Sequence, residues 1–213
     1  MRLASSVAFA VALLAPAAAA HADVFSIRAE AHGGGAGGIG LGGERKDDAF
    51  YTGARGPAYG ALIGAEILFI DAWVAHQQIP VDGEVATWTE FMAGLDLDIG
   101  VGAPPKAPGA KDDPKPKGYL ELGVGVGFGV GTGQQVELPL DNGEVTDKGF
   151  LVEGKLGAGI HLGPVLSLGV VVPVSAGYYF KSGAGVVAND LGTHYQALDA
   201  SVLVSLRFRL KLK

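Results

Sequence analysis

The sequence predicts an all-β chain: a single antiparallel up-and-down transmembrane β-barrel of eight strands. Three observations carry that expectation. Long stretches alternate apolar and polar residues with period two, a spacing that no helix uses to build a face. The face opposite the apolar one is charged or bare of side chains. The N-terminus looks like an export leader, and no downstream apolar run suits a spanning helix.

Composition narrows the classes further. The 213 residues include 35 Gly and no Cys, with a net charge of −6. Without cysteine there is no disulfide scaffold, thiolate zinc site or cysteine nucleophile. The acidic balance argues against a nucleic-acid partner, which needs a basic face. A mean hydropathy of +0.31 is too high for a disordered chain despite the glycine.

In the leader, Arg2 is the positive n-region and Val7 to Leu14 the apolar core. Ala20-His21-Ala22 supplies a small-x-small cleavage site, so residues 1–22 are expected to be a signal peptide and 23–213 the barrel domain.

The strands follow in order. Over 24–32, Phe25, Ile27, Ala29 and Ala31 oppose Ser26, Arg28, Glu30 and His32. Over 57–68, Tyr59, Ala61, Ile63, Ala65 and Ile67 share one face, and a turn near Ile70-Asp71 leads to a weaker strand at 72–79. The run 87–101 sets Phe91, Ala93, Leu95, Leu97, Ile99 and Val101 against Glu90, Asp96 and Asp98. Over 118–132, apolar residues alternate with Glu121 and with glycines 123, 125, 127, 129 and 131. The run 149–162 carries Glu153, Lys155 and His161 on its polar face. Residues 165–179 are apolar on both faces, but Gly163-Pro164 and Pro173 break a helix there, and Val170 to Val172 favour strand. The last strand, 194–211, sets Leu198, Ala200, Val202, Val204, Leu206, Phe208 and Leu210 against Asp199, Arg207 and Arg209.

Alternation alone does not distinguish a soluble barrel from a membrane one. A face of bare glycine would waste backbone order in water, whereas in a narrow lumen it makes room for Glu, Lys and Arg. Tyr59, Trp88, Tyr119, Phe150, Tyr178 to Phe180 and Tyr195 stand at strand ends, as interfacial girdles require. Several strands also reach the ~9–11 residues of a tilted span.

With this pattern, and with Phe208 facing outward in the last strand, the chain resembles the small eight-stranded outer-membrane barrels of the opacity-protein and OmpA-barrel kind. It departs from them by ending in Lys211-Leu212-Lys213 instead of an aromatic. The resemblance implies an outer-membrane location, periplasmic termini, outer-membrane lipid as surroundings, and barrel-assembly machinery recognising the last strand. Cell-surface loops would then be 33–56, 80–86, 133–148 and 181–193, available to an extracellular surface ligand. Periplasmic turns would lie near 69–71 and 163–164. Residues 102–117, with Lys106, Lys111, Lys115 and Lys117, would form a Pro/Lys-rich periplasmic excursion.

Other motif-like features are weak. Gly38 to Gly43 spells a nucleotide-binding glycine pattern, but no helix follows. Ser182, Asp190 and His194 lie in one expected loop without a nucleophile elbow. Asp82-Gly83-Glu84 and Asp141-Asn142-Gly143-Glu144 are turn sequences before they are calcium ligands. His32, His76 and His161 lack metal-ligand spacing and suit lumen or interface positions. No cofactor, metal site or catalytic set is expected.

The inward set is the informative one: Arg28, Glu30, Glu66, Glu90, Asp96, Asp98, Glu121, Glu153, Lys155, Arg207 and Arg209. Out of bulk water these charges must pair. Closure of the first strand on the last would bring Arg28 and Glu30 near Asp199 and Arg207. Since eight strands leave just enough interior for side chains, a plugged, non-enzymatic barrel with a structural or surface-interaction role is expected. The alternatives are a narrow cation-preferring pore or small-solute conduit, and a lipid-modifying membrane enzyme.

Overall fold

A computed structural model of the chain describes residues 25–42, 56–68, 70–81, 84–104, 115–138, 141–183 and 194–212. The expected leader, Lys106, Lys111, Asp82, Gly83 and Asp190 lie outside the described residues, as does the side chain of Ser182.

Eight strands form one sheet: β1 (Phe25–Gly42), β2 (Gly56–Ile67), β3 (Ile70–Val81), β4 (Glu84–Val101), β5 (Gly118–Leu138), β6 (Asp141–His161), β7 (Leu166–Gly183) and β8 (His194–Leu212). Every neighbour pairs antiparallel, and β1 pairs with β8, so the sheet is a closed barrel in sequence order. Closure removes both sheet edges, which a hydrocarbon surrounding cannot solvate. The end that carries Phe25 and Leu212 is the lower end, and the opposite one the upper.

Burial is inverted relative to a soluble protein. Ile63, Val126, Phe150 and Leu156 are 60–65% exposed on the outside, while Arg28, Asp71, Glu121 and Arg207 are at most 5% exposed within. The outward faces are apolar from Phe91 to Val101 in β4, Leu120 to Val130 in β5 and Phe150 to Ile160 in β6. Ten residues rise roughly 34 Å along a strand, and a tilt of ~40° reduces that to the ~25 Å band of a membrane barrel. Above the band the outer face turns polar at Gln78, Thr87, Thr132 and Lys148, with Thr87 Oγ1 2.7 Å from Thr132 Oγ1. The fold is a transmembrane barrel because only lipid makes such a belt inexpensive.

Several expectations need correction. The glycine-rich stretch 33–42 is not a loop: it continues β1, with Gly33 to Gly40 paired to Val204 to Ala197 of β8. Backbone hydrogen bonds need no side-chain alternation, so a strong partner extends a featureless strand. For the same reason most of 133–148 belongs to β5 and β6, β7 continues to Gly183, and β3 and β4 approach within two residues of each other. Ile70-Asp71, expected as a turn, instead opens β3, and the turn that follows β2 includes Leu68 at φ 59°. Trp88 and Tyr119 are not girdle residues; they point inward at 3% and 4% exposure. Tyr179 also points inward, between the outward Tyr178 and Phe180.

The bare inner face of β5 is where these large rings go. A Cβ on Gly125 would strike the Trp73 indole, one on Gly129 the Trp88 indole, and one on Gly123 the Lys155 stem. Gly125→Val or Gly129→Val should therefore cost ~1–3 kcal/mol by overpacking. Gly154→Val, on the outer face with nothing within 4 Å, should be accepted. Urea midpoints of the three refolded variants, followed by heat-modifiable gel mobility, test the contrast.

Candidate functional site

Alternation turns one side chain in two toward the lumen, and eight strands bring those side chains within reach of each other across it. Arg28 of β1 is the hub of the lower half. Its Nη1 lies 2.5 Å from Asp96 Oδ2 and 3.5 Å from Glu121 Oε1, its Nε lies 3.6 Å from Glu30 Oε1, and its Nη2 pairs with Asp71. Lys155 Nζ lies 2.7 Å from Asp96 Oδ2 and 3.0 Å from Glu121 Oε1. Arg207 Nε donates to Glu30 Oε1 at 2.7 Å, and its Nη2 pairs with Glu121. Ser205 Oγ donates to the other Glu30 oxygen at 2.8 Å.

At the lower mouth Arg209 pairs with Glu66 and Asp98, and Ser26 bridges Arg209 and Glu66. The Arg207 guanidinium also stands 5.0 Å from the centre of the Tyr119 ring. Pro116 packs against Gly100 beside this mouth. The network draws a side chain from every strand except β7, so it ties the barrel across its diameter as well as around its wall.

Nine of the eleven residues in the expected lumen set meet in this lower network: Arg28, Glu30, Glu66, Asp96, Asp98, Glu121, Lys155, Arg207 and Arg209. Glu90 and Glu153 sit above it. Asp71 belongs to the network too, although its sequence position suggests a turn. Asp199 does not approach Arg28 or Glu30. It lies opposite Gly38, several residues higher along the β1–β8 seam, and accepts a 2.7 Å hydrogen bond from Tyr179. The Arg207–Glu30 pairing across that seam is present.

Asp96, Asp98 and Glu121 bring carboxylate oxygens within 4.8 Å of one another, a spacing open to a divalent ion. Here Arg28, Lys155, Arg207 and Arg209 supply the positive charge instead. Of the histidines, His76 faces outward with Nδ1 2.8 Å from Thr89 Oγ1, and His161 pairs with Ser167 Oγ at 2.9 Å near the lower mouth. His32 faces the lumen.

No family model and no curated protein matches the chain. Among solved structures, Neisserial surface protein A (NspA) is 12% identical with a TM-score of 0.48, over 90% of this chain and 99% of its own. The outer membrane protease OmpT from Escherichia coli is 10% identical with a TM-score of 0.38, over 87% of this chain and 97% of its own. Likeness at this distance carries no functional argument, which rests on the lumen.

The network separates buried from rim charges, and the two should respond differently. Removing Arg28 by Arg28→Met leaves Asp71 and Asp96 buried with reduced compensation and should cost ~3–5 kcal/mol. Arg209→Met, at the rim with its side chain 20% exposed, should cost about 1 kcal/mol or less after solvent screening. Equilibrium urea unfolding in detergent measures both, and equal losses would contradict the layered arrangement.

Proposed function

We propose that the chain is an integral outer-membrane protein whose barrel is plugged, and whose role is structural and surface-interacting. The observation that carries this reading is the cross-lumen network. Arg28, Asp71, Asp96, Glu121, Lys155 and Arg207 are all at most 6% exposed and occupy the lower half of the interior. Buried ion pairs of this density fix register and shape more than they add stability. Strands that run past the apolar band at the upper end supply the surface on which an extracellular ligand would be met. The expected leader and the lipid-facing belt support the outer-membrane location, and β8 is the element that assembly machinery would engage.

The reading assigns no reaction. The two imidazole–hydroxyl pairs, His76–Thr89 and His161–Ser167, have no carboxylate hydrogen-bonded to the ring among the described residues. A hydrolytic set would need one to orient the base.

One observation favours a second reading, the narrow cation-preferring pore: acidic side chains outnumber basic ones along the inner wall. Planar-bilayer recording separates the two. The plugged barrel should give no discrete current steps, while showing heat-modifiable mobility as proof of folding. Discrete cation-selective steps, altered by Glu121→Gln or Asp96→Asn, would replace the plugged reading with the pore.

A further inference from the structure

We propose that the upper half of the lumen is a binding site for a small organic ammonium compound carrying a hydrogen-bond acceptor, of the amino-alcohol type. This goes beyond the structural role above and holds whether or not the lower network blocks flow.

A cavity of about 60 Å³ lies above the ion-pair layer, flanked by Trp73 and Trp88 and lined by Gln77, Glu90, Glu153 and Asp199. The three carboxylates are each met by one neutral donor. Trp88 Nε1 donates to Glu90 at 3.4 Å, Ser175 Oγ to Glu153 at 3.3 Å, and the Tyr179 hydroxyl to Asp199 at 2.7 Å. None of them forms an ion pair among the described residues. Lys155 is the one Lys or Arg on the cavity wall, and its ammonium is held by Asp96 and Glu121 in the floor. Glu153 and Asp199, buried at 5% and 4% exposure, call for a positive charge that the described residues do not place beside them, and Glu90 is partly buried next to them.

A second, independent feature points to an occupant. The Gln77 side chain is 9% exposed, lines this cavity, and its amide nitrogen has no hydrogen-bond partner. Asp199 Oδ1 is likewise without one. Buried polar atoms are rarely left in this state. A molecule that satisfies both must offer N–H donors to the carboxylates and an acceptor to the amide.

The walls favour an organic cation over a metal ion. Among the described residues only Asp96, Asp98 and Glu121, in the lower layer, converge on metal-ligand spacing. The upper carboxylates are dispersed around indole rings, whose faces attract ammonium groups. Trp73 already demonstrates this, with Lys155 Nζ 4.9 Å from its ring centre.

Trp73 and Trp88 are the only two tryptophans in the chain, so selectively excited indole fluorescence reports on this cavity without background from any other tryptophan. The detergent-solubilised protein is titrated with ethanolamine hydrochloride, tetrabutylammonium chloride and sodium chloride at matched ionic strength. Ethanolamine should give a saturable change with a midpoint below about 10 mM, within the per-atom affinity ceiling for so small a ligand. Tetrabutylammonium, too large for the cavity, and sodium should give none. In folded Glu153→Gln the ethanolamine midpoint should rise at least about tenfold, through loss of a charge-assisted contact. A linear ethanolamine response, an equal response to sodium or tetrabutylammonium, or an unchanged midpoint in folded Glu153→Gln would overturn the proposal. Should Glu153→Gln fail to fold, the size and charge series on the unmodified protein decides alone.

Discussion

The ion-pair layer formed by Arg28, Lys155 and Arg207 with Glu30, Asp71, Asp96 and Glu121 is the constraint to which the rest of the barrel conforms. In hydrocarbon the sheet has no hydrophobic incentive to pack one wall against another, since lipid accepts apolar side chains equally well. Hydrogen bonds around the wall close the sheet, but many registers would satisfy them. What selects one register is the set of charges that must meet inside it. A slip of one residue between β1 and β8 would turn Arg28 and Glu30 into lipid if β1 moved, or Arg207 and Arg209 if β8 moved. A slip of two would separate Glu30 from Arg207. The pairing across that seam is thus held by side chains whose misplacement would be far more costly than the loss of a backbone hydrogen bond.

Space for this layer comes from β5. A strand with no side chains on half of its inner face does not contribute to packing; it recedes. Lys155 lies over Gly123, the Trp73 ring over Gly125 and the Trp88 ring over Gly129. These side chains rise from β3, β4 and β6, so the lumen is filled from its flanks toward one thin wall. The arrangement also orders the interior by height. The Lys155 ammonium lies in the lower network and is shared between Asp96 and Glu121, while the indoles lie at and above it. Positive charge is therefore concentrated low in the barrel, and the upper carboxylates face aromatic surfaces.

The period-two pattern makes most of the strands and their inward faces legible, because the contrast between lipid and lumen is imposed inside the membrane. Strand β7, apolar on both faces, is legible only through Gly163-Pro164, Pro173 and Val170 to Val172. Beyond the membrane that contrast disappears. Residues 33–42, 134–138 and 141–148 look like loops because nothing outside forces alternation, yet backbone pairing continues. Asp71 is obscured in the sequence because Ile70-Asp71 looks like a turn, whereas β3 already begins at Ile70. Trp88 and Tyr119 look like interfacial aromatics by position along their strands. The signal that could have placed them inside was parity, since Trp88 shares the face of Glu90 and Met92, and Tyr119 that of Glu121. Asp199 is expected beside Arg28 and Glu30 but stands above them, because strand adjacency fixes neighbours but not height. Only the stagger between β1 and β8 places it opposite Gly38.

Height along the barrel also explains how two opposed demands coexist in one small lumen. Neutralised charge favours a rigid, closed interior, and unneutralised charge favours an interior that takes something in. The lower layer sets Arg28, Lys155, Arg207 and Arg209 against Glu30, Glu66, Asp71, Asp96, Asp98 and Glu121, with every carboxylate ion-paired. The upper layer keeps Glu90, Glu153 and Asp199 on neutral donors alone. Had Lys155 been placed two residues earlier, at the position of Glu153, its charge would fall in the upper layer, and Asp96 and Glu121 would lose a cation. The order Glu153-Gly154-Lys155 therefore assigns the lower layer to closure and leaves the upper layer polar, acidic and partly unfilled. A barrel needing stability alone would gain by neutralising both.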